Sequence, residues 1–177
     1  MRSKMRTETE RLLIEEFTLS DALFVATLLN TQGWLQFIGD RGVRNEQDAR
    51  MYLENGPMKS YEQHGFGPWV MRLKEDNLAI GMCGLIKRDT LEDIDIGFAL
   101  LPEYAGKGFA YEASKAVLEY AQHVLQLKRI IAITNKANIN SQQLLKRIGL
   151  SYEKEIMFEK EKEPLMLFGI TFRNNPS

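Results

Sequence analysis

Two carboxylates, a glycine loop and an amide-hydroxyl pair are the parts of this 177-residue chain whose types and spacing suit chemistry. Asp93 and Asp95 alternate with Ile94, Ile96 and Phe98. That period of two is expected of a strand with one polar and one apolar face, so both acids are expected on one face. Burial of Asp95 beside Asp93 would raise one pKa and make a usable base. Pro102 and Glu103 end the strand, and Gly106-Lys107-Gly108 then brings backbone almost free of side chains to a helix. The helix shows in Ala113, Ala116, Val117, Tyr120, Ala121 and Val124, which recur three and four apart. Its first amides lack intrahelical partners and lie at the positive end of the dipole, a socket suited to a phosphate. The loop fits neither familiar nucleotide pattern. Gly108 stands where a Walker loop needs Ser or Thr, and Tyr111 where a dinucleotide fingerprint needs a small residue. The bland alternative for the loop alone is a helix C-cap or a tight turn. In the NxxS stretch from Asn138 to Ser141, taken alone, Asn138 or Asn140 reads as a helix N-cap, with Gln143 completing a capping box.

The elements that must position these residues can be read in order. Arg11 to Phe17 suggests a strand, and Ser20 an N-cap for a helix over Asp21 to Asn30. Gly33 to Arg44 holds Trp34, Phe37 and Ile38 among three glycines, too irregular for a regular element and too apolar for an idle linker, so it is expected to line a pocket. Asn45 should cap a helix through Tyr52 and Leu53, interrupted at Gly56-Pro57 and resuming towards His64. Trp69 to Leu73 and Leu78 to Lys87 form a hairpin over Lys74 to Asn77, and Asp89 to Glu92 turns into the central strand. Arg129 to Thr134, short and β-branched, suits a strand buried on both faces. The helix from Asn138 carries Leu144, Leu145 and Ile148 and stops at Gly149. Leu150 to Phe158 and Leu165 to Phe172 close the chain as a hairpin, and Asn174 to Ser177 should fray.

Composition bounds the function. The length suits a single domain over residues 1–177, with its core over 11–172. The 23 basic and 24 acidic residues give a net charge of -1, which argues against nucleic acid as a partner. Cys83 has no cysteine to pair with and reads as core packing; His64 and His123 have no ligands at metal spacing, so no metal is expected. The polar start and the lack of a long apolar run predict a soluble, cytoplasmic protein without a membrane partner, monomeric or homodimeric.

Three stretches carry a family resemblance: DIGFALLPEY at 95–104, AGKGFA at 105–110 and NINSQQLLKRIGL at 138–150. In order and spacing they resemble the EIGYWLLPEY-like strand, the Q/R-x-x-G-x-G/A loop and the N-x-x-S-x-x-x-L-x-K-x-G-F helix of the GCN5-related N-acetyltransferases. Within that family they resemble the branch of ribosomal-protein-alanine N-acetyltransferases. The resemblance implies an α+β fold: a mixed, mostly antiparallel, twisted seven-stranded sheet flanked by helices and split between its fourth and fifth strands. It implies acetyl-CoA in the split. Its pyrophosphate would lie on Ala105, Gly106, Lys107, Gly108, Phe109 and Ala110, and its pantetheine would pair with the backbone of Phe98, Ala99 and Leu100 and meet Asn138. Asp95, at the position of a frequent glutamate, would be the base. Leu145 stands where many relatives have a tyrosine that protonates the leaving thiolate, which leaves Ser141 as donor to the sulfur, with Tyr104, Tyr111 and Tyr152 as alternatives. Trp34, Phe37 and Asp93 are candidates for the acceptor side.

The reaction so implied is direct transfer from thioester to amine. Freeing an α-amine of pKa about 8 at pH 7 costs roughly 1.4 kcal/mol, against roughly 4.6 for a lysine. A weak base therefore suits a protein or peptide N-terminus. Two alternatives stand beside it: a small-molecule amine such as an antibiotic or polyamine, and a catalytically silent acyl-CoA-binding protein. Between Asp40 and Glu62 five acids meet four bases, too balanced a field to concentrate polycations.

Overall fold

The computed structural model describes residues 2–158 and 160–173. Among these, eight strands form one sheet: β1 (Arg6–Glu8), β2 (Leu12–Glu16), β3 (Pro68–Leu73), β4 (Ala79–Ile86), β5 (Asp95–Leu100), β6 (Arg129–Thr134), β7 (Ser151–Ile156) and β8 (Leu165–Thr171). Their order across the sheet is β1-β2-β3-β4-β5-β6-β8-β7, and every neighbouring pair is antiparallel except β5 with β6. Six helices cover it: α1 (Ala22–Leu28), α2 (Gln32–Phe37), α3 (Glu46–Asn55), α4 (Pro57–His64), α5 (Phe109–His123) and α6 (Ile139–Arg147). The strand count exceeds the expected seven by β1, whose polar Arg-Thr-Glu pairs with β2 and carries no apolar signal of its own.

Alternation along the strands divides the core into two clusters. Trp69, Cys83, Leu85, Ile96, Ile130 and Phe168 pack with Ala113, Val117 and Ala121 of α5 and Leu145 of α6. Val70 and Met82, one step along β3 and β4, point the other way and pack with α1, Trp34 of α2, and Ala49 and Leu53 of α3. Cys83 fills core space as expected, and its burial pushes the thiol up to about 12.

Asn45 caps α3, its side chain accepting from Asp48 N at 2.8 Å, and Pro57 opens α4 at a position that needs no amide hydrogen. The cap before α1 differs from the expected Ser20: Thr18 N donates to Asp21 Oδ2 at 3.0 Å, and a short 3-10 turn over Leu19–Asp21 leads into the helix. The segment 33–44, expected to be irregular, begins inside α2, with Thr31 Oγ1 accepting from Trp34 N at 3.3 Å. Six residues are too few to display a helical period when one is Gly33. Val124 was expected on the buried face of α5 but stands exposed just past its end. Asn174 to Ser177, expected to fray, lie outside the described residues.

The feature that positions the site is the seam between β5 and β6. Only Asp95 and Ile131 are in register across it, and Ile131 N donates to Ile94 O at 3.0 Å. Beyond that point β5 continues to Leu100 alongside β4, and on its β6 side the backbone of residues 97–100 has no strand partner among the described residues.

Candidate functional site

The fork opens into a cavity of about 680 Å³. Its floor is β4 and β5, where Gly84 faces Gly97 across the ladder; its roof includes Trp34, Phe37 and Ile38 of the α2 segment, as expected of that apolar stretch, together with Tyr52 of α3. The far wall is the end of β6 and the start of α6, with Asn138, Ser141 and Leu145. Phe98, Ala99, Leu100 and Ala105 line the side nearest the glycine loop. Among the described residues, the charged ones lining it are Arg41, Arg88 and Asp95.

Asp95 sits at the crotch of the fork with 2 % of its surface exposed. Its Oδ2 accepts from Arg88 Nε at 2.6 Å, while Oδ1 is buried and has no hydrogen-bond partner among the described residues. Burial pushes its carboxyl upwards from the ordinary value, against the pull of the Arg88 guanidinium. The expected pair of acids on one face is not what the structure holds. Asp93 precedes β5, its Oδ2 accepts from Arg129 Nε at 3.0 Å, and it does not line the cavity. Arg129 also donates to both oxygens of Glu153, at 2.9 and 2.6 Å, so Asp93 belongs to an ion-pair cluster on β6 and β7. A strand period does not extend to residues before the strand begins.

The glycine loop lies at one end of the fork. Gly106 and Gly108 have φ of 75° and 84°, a left-handed backbone that a side chain resists, and Gly108 is the N-cap of α5. Glu112 N reaches Gly108 O at 3.0 Å, so the amides before it, at Phe109 to Tyr111, precede the first turn's bonding and face the loop. Of the six loop residues only Ala105 lines the cavity; Gly106, Lys107, Gly108, Phe109 and Ala110 do not, and together they form the rim beyond Leu100. Arg11, without a signal in the sequence, braces this rim. It donates through Nη1 to Lys107 O at 3.0 Å and through Nε to Glu112 Oε1 at 2.8 Å, and its guanidinium lies 4.1 Å over the Phe109 ring.

Asn138 acts as the cap of α6, Oδ1 accepting from Ser141 N at 3.2 Å, and both residues also line the cavity. Leu145 lines it too, as an apolar wall. Tyr104, Tyr111 and Tyr152 do not: Tyr104 packs on Phe109, Tyr111 lies under the Arg147 guanidinium at 4.5 Å, and Tyr152 is exposed on β7. Arg88, Arg41 and Tyr52 are cavity residues that sequence reasoning missed. Arg88 follows the end of β4 in a polar run, where a cation ordinarily faces water. Among the described residues no group of three or more His, Cys, Asp or Glu is placed to hold a metal ion, and no helix is long and apolar enough to cross a membrane.

Comparison with known proteins bears on this geometry. The chain is 31 % identical over 149 residues to YnaD, an uncharacterized N-acetyltransferase of Bacillus subtilis, covering 84 % of each chain. The structure of an acetyltransferase of the GNAT family from Bacillus anthracis superposes with a TM-score of 0.79 at 26 % identity, covering 94 % of this chain and 98 % of that one. A ribosomal-protein alanine acetyltransferase from Vibrio fischeri, at 20 % identity, shares the fold with a TM-score of 0.78 over 94 % of this chain and 96 % of its own. The family model described as an acetyltransferase (GNAT) domain matches residues 11–151, the span that holds the fork, the glycine loop and the Asn138 helix, and the chain belongs to that family of N-acetyltransferases.

Proposed function

We propose that this N-acetyltransferase moves the acetyl group of acetyl-CoA to the primary α-amine of a protein or peptide N-terminus. The observation that carries the reading is Asp95: a buried carboxylate at the fork, with one oxygen held by Arg88 and the other unpartnered. Acetyl-CoA would enter along the unpaired edge of Phe98, Ala99 and Leu100, whose free amides and carbonyls suit the amide groups of a pantetheine arm. Its pyrophosphate would rest on the rim from Ala105 to Ala110, against the amides at the start of α5. Asn138 would meet the same arm from the α6 side.

The acceptor would approach beneath Trp34 and Phe37, from the α2 side of the sheet. Its ammonium proton passes to Asp95, the nitrogen attacks the thioester carbonyl, and the carbon-sulfur bond breaks as the tetrahedral species collapses. The thiolate takes up the second proton, the one the attacking nitrogen sheds as it becomes an amide, with the Ser141 hydroxyl donating a hydrogen bond to the sulfur in place of a phenol at Leu145. Burial raises the Asp95 carboxyl and makes it a better base than a solvated aspartate, and an α-amine asks less of that base, costing roughly 3 kcal/mol less to deprotonate at pH 7 than a lysine. The charged lining also favours such an acceptor over a polyamine. Two guanidiniums oppose a single carboxylate there, an unfavourable field for a polycation.

The test is release of free thiol from acetyl-CoA. We expect release that requires a peptide with a free N-terminus and is competed weakly by spermidine. Tight CoA binding with no release against any amine would instead assign a silent acyl-CoA-binding protein.

A further inference from the structure

Arg88 is used only in part by its bond to Asp95. That bond takes Nε, and the guanidinium's two terminal nitrogens have no hydrogen-bond partner among the described residues, although the side chain is 40 % exposed and lines the cavity. Its position is set by the turn that carries it: Lys87 Nζ donates to Leu91 O at 2.8 Å, and Leu91 N donates to Arg88 O at 3.2 Å. The result is a fixed array with an open acceptor, Asp95 Oδ1, beside open donors on the fork of Arg88.

An α-aminoacyl unit is complementary to that array. Its amine nitrogen and the oxygen of its first carbonyl are joined through two backbone carbons and lie roughly 3 Å apart. One ligand thus offers a donor to Asp95 and an acceptor to Arg88 from adjacent atoms. A lysine side chain or a polyamine offers the amine without the carbonyl. We propose that Arg88 is a specificity-determining residue, reading the first carbonyl of the acceptor while Asp95 holds the amine. The inference rests on the α-amine reading above and names the group that distinguishes that class of acceptor.

The experiment compares two peptides: one beginning with alanine, and the same peptide with its first amide replaced by an (E)-alkene, which keeps the shape and removes the carbonyl. The readout is the ratio of their kcat/KM values, each corrected for the fraction of free amine. Any effect of Arg88 on the basicity of Asp95 reaches both peptides and cancels in the ratio. We expect the wild-type protein to prefer the amide peptide by about 10- to 100-fold, the range of a hydrogen bond from a charged donor, and Arg88→Met to bring the ratio within about threefold of unity. Arg88→Lys, which keeps a single charged donor, should fall between them. Arg88 is partly exposed, and CoA binding by each variant checks that it is folded. Equal turnover of the two peptides by the wild type, or the same ratio in wild type and Arg88→Met, overturns the proposal and leaves the α-amine reading in place. Preference for an N-blocked lysine peptide over both overturns the α-amine reading itself.

Discussion

Asp95 illustrates how a residue's role is set by its surroundings. The same carboxylate on a solvated strand face would be an ordinary surface acid. At the fork it is buried, with one lone-pair-bearing oxygen unmatched, a costly arrangement that functional sites retain. Asp95→Asn keeps the shape and removes the proton acceptor, so we expect turnover at neutral pH to fall by about 10² or more, with CoA affinity unchanged. The deficit should shrink at high pH, where the α-amine is already free; a pH-independent deficit would make Asp95 a positioning group only. Stability should move the opposite way. Burial raises the folded-state pKa of Asp95, so its contribution is fully present below the unfolded value of about 3.9 and is lost as pH rises through the folded value. Asp95→Asn, free of that loss, should resist urea better than wild type at pH 7, with the gap closing as the solution is acidified. A variant less stable than wild type at pH 7 would mean that the Arg88 pair outweighs the burial. Asp95 itself was legible in the sequence, from alternation and motif position. Its partner was not, because a side-chain pair between the end of β4 and the start of β5 is a product of the tertiary turn between them. Asp93 shows the converse: the alternation was real, but Arg129 from β6 captured the acid.

At the scale of elements, the rim is a strand end, a left-handed turn and a helix start, held from outside by the β1-β2 turn through Arg11. Gly108→Ala would place a Cβ 3.3 Å from Arg11 Nη2 on a backbone at φ 84°, costing about 1–2 kcal/mol in local strain. We expect its CoA dissociation constant to rise by about tenfold or more, measured by calorimetry, because the loop must abandon the geometry that aims its amides. Unchanged affinity in a folded variant would place the phosphates elsewhere. Arg11→Ala removes the brace without touching the loop, so KM for acetyl-CoA should rise by about threefold to tenfold while kcat holds; a fall in kcat alone would contradict this role. The glycines and the α5 period made the left-handed turn and the helix start readable from sequence. Arg11 lay 96 residues from the Lys107 carbonyl it grips, and no local pattern reports a contact of that kind.

Over the whole molecule, the strands that hold the site were readable because each carries an apolar run or an alternation long enough to count. The short pieces were not. Three polar residues of β1 and six residues of α2 fall below the length at which a period can be told from chance, although Trp34 and Phe37 already marked α2 as pocket-forming. The fork at β5 and β6 came from resemblance rather than from residue pattern, since strand order is a property of the assembled sheet. A buried carboxylate, an aromatic roof and two guanidiniums line the cavity, and these are the grounds for the proposed α-amine acceptor. The most direct measurement uses one peptide carrying both a free N-terminus and an internal lysine, incubated with the protein and acetyl-CoA at pH 7, with the modified nitrogen located by fragmentation mass spectrometry. Acetyl on the α-amine, at least about tenfold over the lysine, is the predicted result, in line with the roughly 3 kcal/mol difference in deprotonation cost. Acetyl on the lysine side chain instead would contradict it.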